Sequence, residues 1–138
     1  MTPAQSEFEL NIPSSRKNIH RVEDFFQKIN GTLHLPEEKL YALLVAVTEA
    51  VNNGIIHGNK NDESKTVTVR CSKMNDTVTI RVRDEGSGFT PGNVADPLSE
   101  ENLLRTGGRG VFLMKTFMQS VSYNDTGNEV TMVLKLGE

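Results

Sequence analysis

The chain has 138 residues, 36% of them apolar, with 11 glycines; 15 Lys+Arg against 18 Asp+Glu leave a net charge of −3. That size and apolar content describe one ordinary globular domain, residues 1–138, and exclude a disordered chain. The slight acidity argues against a general binder of phosphate backbones, so no direct nucleic-acid partner is expected.

Phe8, Leu10 and Ile12 alternate, which predicts a short strand before Pro13. Ser14 or Ser15 is then placed to cap a helix whose apolar stripe is Ile19, Val22, Phe26 and Ile29, and Asn30-Gly31 is the expected stop. Leu35-Pro36-Glu37-Glu38 starts a second helix, with proline and acids in the first turn. Its stripe runs through Leu40, Leu43, Leu44, Val47, Val51 and Ile55 to about His57-Gly58. After the polar loop 59–64, the segments 66–71 and 78–83 alternate with period two on either side of Asn75-Asp76, which predicts an antiparallel hairpin. From Asp84 to Gly110 the sequence is rich in glycine and loses periodicity, the mark of a functional or mobile segment. A short helix is expected over 111–118, then strands at Val121–Tyr123 and Val130–Leu136 joined by a turn at 125–128. The fold class predicted is α+β: two layers, with helices on one face of a mixed, mostly antiparallel sheet.

The only cysteine, Cys71, permits no intrachain disulfide and no cysteine-based zinc cluster. The longest apolar run, Tyr41–Val47, falls far short of the roughly 20 residues of a membrane helix. The opening MTPAQSEFEL has neither the basic nor the apolar region of a secretory signal. A cytoplasmic protein with no membrane partner is therefore expected.

Three places hold residues suited to chemistry. Glu49 and Asn53 are four apart, about 40° from each other on one helix face. By themselves they read most simply as an exposed hydrogen-bonded pair, although two adjacent asparagines, Asn52 and Asn53, are poor helix formers. His57-Gly58 reads as a helix C-cap. Asp84-Glu85-Gly86-Ser87-Gly88 sets an aspartate at a strand end before two glycines. That suits a carboxylate accepting a hydrogen bond from an exocyclic amine, with backbone open to a ligand, and suits a tight Asx turn equally well. Thr106-Gly107-Gly108-Arg109-Gly110-Val111 enters a helix, where free N–H groups bind anions. It is neither a Walker loop nor a dinucleotide fingerprint.

In this order the three elements resemble the ATP-binding domain shared by gyrase, the Hsp90 chaperones, histidine kinases and the mismatch-repair MutL proteins. Within that superfamily the chain is most similar to the anti-sigma factor serine kinases, which carry Glu-Ala-Val-x-Asn-x-x-x-His-Gly where this chain has Glu49-Ala50-Val51-Asn52-Asn53-Gly54-Ile55-Ile56-His57-Gly58. The resemblance spans Phe8 to Leu136 and implies a Bergerat-type sandwich that binds ATP with Mg2+. It implies Glu49 as general base, Asn53 as the magnesium ligand and Asp84 as the reader of the adenine amino group. It places Gly86 and Gly88 under adenine and ribose, Gly107, Gly108 and Gly110 with Val111 at the phosphates, and Thr131 near the adenine. Arg105 and Arg109 are candidates for the γ-phosphate, and residues 90–106 match the mobile lid. The partners implied are a sigma factor and an anti-anti-sigma factor whose serine accepts phosphate, with a homodimer as the assembly. The resemblance does not fix a role for His57. The histidine-kinase phosphoacceptor helix is missing, which argues against a two-component sensor. Two other readings stay open at this point: an ATP-dependent binding switch without catalysis, and an α+β domain whose glycines merely form loops.

Overall fold

The computed structural model describes residues 5–86 and 118–136. The period-two segments become strands: β1 (Gln5–Pro13), β2 (Thr66–Met74), β3 (Thr77–Arg83), β4 (Ser120–Tyr123) and β5 (Glu129–Lys135). They form one sheet in the order β1-β2-β3-β5-β4, and every pairing among the described residues is antiparallel rather than mixed. Asn75 takes φ 56° in the β2–β3 turn, a left-handed conformation that asparagine tolerates better than most residues.

Helices α1 (Ile19–Leu33) and α2 (Glu37–Asn53) cover one face of this sheet. Val22, Phe26, Ile29 and Leu33 of α1 and Leu43, Ala46, Val47, Ala50 and Val51 of α2 pack on Ile12, Val67, Val69, Val78, Ile80, Val82, Val130, Met132 and Leu134. Full burial of each large side chain contributes about 1.5–3 kcal/mol, so this interface carries the fold. The opposite sheet face is polar, and its Glu9–Arg70 pair is exposed and adds little.

Two helix ends differ from the sequence reading. Neither serine caps α1 through its side chain: Arg16–Asn18 form a short 3-10 turn first, and the Ser14 hydroxyl is turned inward to the Lys65 carbonyl. Asn30-Gly31 does not stop α1, because Leu33 is completely buried and extends the apolar stripe by one more turn. The helix ends at His34, left-handed at φ 56°. Asn30 then caps from inside the helix, its Oδ1 accepting the Leu35 N–H at 2.8 Å. Lys73 of β2 donates to the Leu33 carbonyl at 2.6 Å, a cation at the negative end of the helix dipole.

Cys71 lies on the inner face, and burial pushes its thiol up to about 12. It should resist iodoacetamide at pH 8 in the native protein and react at once in denaturant, because the thiolate is the nucleophile. Rapid labelling of the native chain, followed by mass spectrometry, would contradict this packing.

Candidate nucleotide site

The site begins where α2 ends. Glu49 and Asn53 are both half-buried near the end of the helix. The sequence alone favoured a hydrogen bond between them, yet neither side chain has a hydrogen-bond partner among the described residues. Beside them, the Asn52 Oδ1 is buried with no partner.

Past Asn53 the helix widens into a single π turn, Gly54–Gly58, closed by the Asn59 N–H donating to the Gly54 carbonyl at 2.7 Å. Such turns are rare and concentrate at functional sites. Here the wide turn receives Asp84. The strand β3 hands over Asp84, whose N–H still bonds the Asn128 carbonyl at 2.9 Å, and its carboxyl is laid against the turn. A Cβ on Gly54 would touch the Asp84 Cβ at 3.5 Å. A Cβ on Gly58 would collide with the Asp84 carboxyl group, and one on Gly86 with the Gly58 carbonyl. Glycine is needed at 58 and 86 because two backbones and a carboxylate meet there.

Asp84 is half-buried, and desolvation raises its pKa. The Gly86 N–H, donating to Oδ1 at 2.8 Å, and the charges of Arg83 and Lys65 pull the other way without overcoming burial. No described residue forms an ion pair with it. A half-buried carboxylate without a cation is an acceptor looking for a donor.

The sequence reading missed Asn59 and took Ser14 for a helix cap; these are the two buried polar residues among those described. Asn59 Nδ2 donates to the Ser14 hydroxyl at 2.6 Å and to the Thr66 carbonyl at 3.2 Å, and its Oδ1 accepts the Glu85 N–H at 2.7 Å. The Glu85 carboxylate in turn accepts the Thr66 N–H. Nothing in the polar run 59–64 marks Asn59 as different from its neighbours; only its place directly after Gly58 is suggestive.

The structure brings Gly86 and Asp84 to the end of the helix that carries Glu49 and Asn53. It does not bring Thr131 there. Val130 and Met132 face the helices, so period two turns Thr131 to the other side of the sheet, opposite Arg81 and Ser122. His57 is exposed. Gly88, Arg105, Gly107, Gly108, Arg109, Gly110, Val111 and the segment 90–106 lie outside the described residues.

The donor set fits a magnesium–nucleotide complex. No group of three or more His, Cys, Asp or Glu suited to a metal exists among the described residues. Mg2+ does not need one, since it keeps several waters and is bound through one or two protein oxygens plus phosphate oxygens. The amide of Asn53, without a hydrogen-bond partner among the described residues, could supply such an oxygen, and the seat of Asp84 leaves a carboxylate acceptor beside it.

Comparison with known proteins agrees. The model of the histidine kinase-like ATPase domain matches residues 12–134. The chain is 36% identical to an anti-sigma F factor of Clostridium perfringens over 120 residues, covering 83% of each protein. It is 27% identical to the serine-protein kinase RsbW of Bacillus subtilis over 137 residues, 90% of this chain and 82% of that protein. In structure it resembles a protein containing the RsbU and RsbW domains of Rv1364c from Mycobacterium tuberculosis, with TM-score 0.65 at 13% identity, covering 94% of this chain and 31% of that longer one. A family match across nearly the full length, and a relative above 30% identity over most of both chains, settle the family: this chain belongs to the histidine kinase-like ATPase domains.

Proposed function

We propose that residues 1–138 act as one ATP-binding domain of a cytoplasmic anti-sigma factor that is also a protein-serine kinase. It holds a sigma factor, works as a homodimer, and transfers phosphate from ATP to a serine of an anti-anti-sigma antagonist. The names of its relatives support this. The single observation that carries it is the pair Glu49 and Asn53, half-buried and without hydrogen-bond partners among the described residues, beside a turn that seats a carboxylate.

In this reading Asp84 accepts the adenine amino group, with Gly86 and Gly88 allowing the ring and ribose to lie close. Asn53 would hold a magnesium ion, which would neutralise charge on the transferring phosphates. The family resemblance assigns Gly107, Gly108, Gly110 and Val111 to the phosphates, Arg105 or Arg109 to the γ-phosphate and 90–106 to the lid, all outside the described residues. Glu49 takes the proton of the acceptor serine while that oxygen bonds the γ-phosphorus and ADP departs. Asn53→Ala should abolish magnesium-dependent ATP binding in calorimetry while the circular dichroism spectrum stays native. Unchanged Mg-ATP affinity would mean that the metal is held elsewhere.

The raised pKa of Asp84 gives the reading a pH signature. The ionised carboxylate is the stronger acceptor for the adenine amino group, so ATP affinity should weaken on acidification at a higher pH than an ordinary aspartate would dictate. For stability the sign is opposite. A folded pKa above the unfolded one favours the protonated fold, and that advantage is lost as pH rises through the folded pKa. At neutral pH, Asp84→Asn should therefore leave thermal stability equal or higher while weakening ATP more than GTP, since guanine presents a carbonyl where adenine has its amino group. Equal losses for the two nucleotides would make Asp84 structural.

A further inference from the structure

Asn59 and Ser14 are buried, polar and bonded to each other, at the corner of the molecule where β1, β2 and β3 meet the end of α2. Their network is complete. Both Asn59 Nδ2 hydrogens are used, its Oδ1 is used, and the Ser14 hydroxyl accepts from Asn59 while donating to the Lys65 carbonyl at 2.8 Å. The amide orientation follows from chemistry: a backbone N–H at Glu85 only donates and the Thr66 carbonyl only accepts. A polar network this deep costs desolvation, and joining β1 to β2 does not require it, because Pro13 and Thr66 already pair in the sheet.

The bond to Glu85 acts where the sheet does not. The β2–β3 register ends at Thr68 opposite Arg83, so two residues further the Glu85 backbone faces Thr66 without ladder support. The Asp84–Gly86 turn is held there by Asn59 and by the link from the Glu85 carboxylate to Thr66. The same Asn59 closes the π turn through its own N–H. One residue thus bonds both halves of the seat, the turn that receives Asp84 and the backbone just after it, while the Asn128 carbonyl holds the Asp84 N–H from the other side.

We infer that Asn59, clamped by Ser14, is the positioning residue that sets the Asp84 carboxylate for base recognition. This rests on the assignment of Asp84 to the adenine. It acts through the Glu85 N–H and through the Gly54 carbonyl of the π turn.

The test compares ATP and GTP binding by calorimetry, with Mg2+ present, in the wild type, Asn59→Ala, Ser14→Ala, Asp84→Asn and the core truncation Val78→Ala. Val78→Ala lowers thermal stability from a buried position on β3 and controls for destabilisation. Asn59→Ala should cut the preference for ATP about tenfold, the scale of one hydrogen bond to a charged group, with GTP affinity nearly unchanged. Ser14→Ala should cut it by a smaller factor, and Val78→Ala should leave it intact. A wild-type preference in Asn59→Ala, beside a lost preference in Asp84→Asn, overturns this inference alone. If the wild type prefers neither base, or Asp84→Asn keeps the preference, the adenine assignment fails and the inference with it. Should Asn59→Ala not fold, Ser14→Ala decides: an unchanged preference there overturns the inference.

Discussion

Glu49→Ala is expected to lower phosphate transfer to a serine-bearing antagonist by about 10²–10⁴-fold, the usual contribution of a general base. The carboxylate is half-buried and has no hydrogen-bond partner among the described residues, so its removal should leave packing almost untouched. Nor does it need to grip the nucleotide before the serine arrives. ATP affinity and sigma-factor capture should therefore stay near wild type. Single-turnover transfer, read beside ATP binding by the same variant, separates the possibilities. Transfer at the wild-type rate would remove Glu49 from the chemistry. Binding lost together with transfer would recast it as an organiser of the magnesium shell. Binding intact in the wild type with no transfer to any antagonist would favour the non-catalytic switch.

Gly58→Ala is expected to damage the site through a single methyl group aimed at the Asp84 carboxyl. Its Cβ would occupy the space of the Asp84 carboxyl, which cannot retreat freely because the Gly86 N–H holds Oδ1 and Gly86 itself is pressed on the Gly58 carbonyl. We expect ATP affinity to fall by about tenfold or more, since the displaced acceptor forfeits a charged hydrogen bond. A double-mutant cycle checks the cause. In an Asp84→Ala background the added methyl group has room, so its stability cost should shrink, giving a coupling of about 0.5–3 kcal/mol between contacting residues. Additive costs would show that the methyl group acts on the helix backbone and not on the carboxylate.

The sheet was legible because its strands alternate and its hairpin turn contains Asn75-Asp76. The helix bearing Glu49 and Asn53 was legible from its long apolar stripe. What escaped the sequence depended on contacts distant along the chain. Asn30-Gly31 looked like a stop, but the burial of Leu33 outweighed the poor helix propensity of glycine. Ser14 looked like a cap and became an internal acceptor, because Asn59, forty-five residues later, reaches it. Thr131 looked like an adenine contact from its place in the last strand. A shift of one residue along a strand exchanges the two faces, and Val130 is the neighbour that faces the helices. The phosphate-side glycines and arginines were named from their pattern at a helix entry, and they lie outside the described residues.

The seat of Asp84 also bears on how the proposed base recognition could be moved between proteins. The carboxylate belongs to the end of β3, but the wall that shapes it belongs to the π turn after α2, and the brace between them starts beyond β1. Grafting residues 84–86 onto another scaffold would carry the acceptor and leave its mould behind. Deleting one residue from Gly54–Gly58 to restore a regular helix would rotate Gly58 by about 100° and turn the mould away. The transferable module is therefore discontinuous: a strand end, a widened helix end and one buried amide, which must be moved together for base preference to follow.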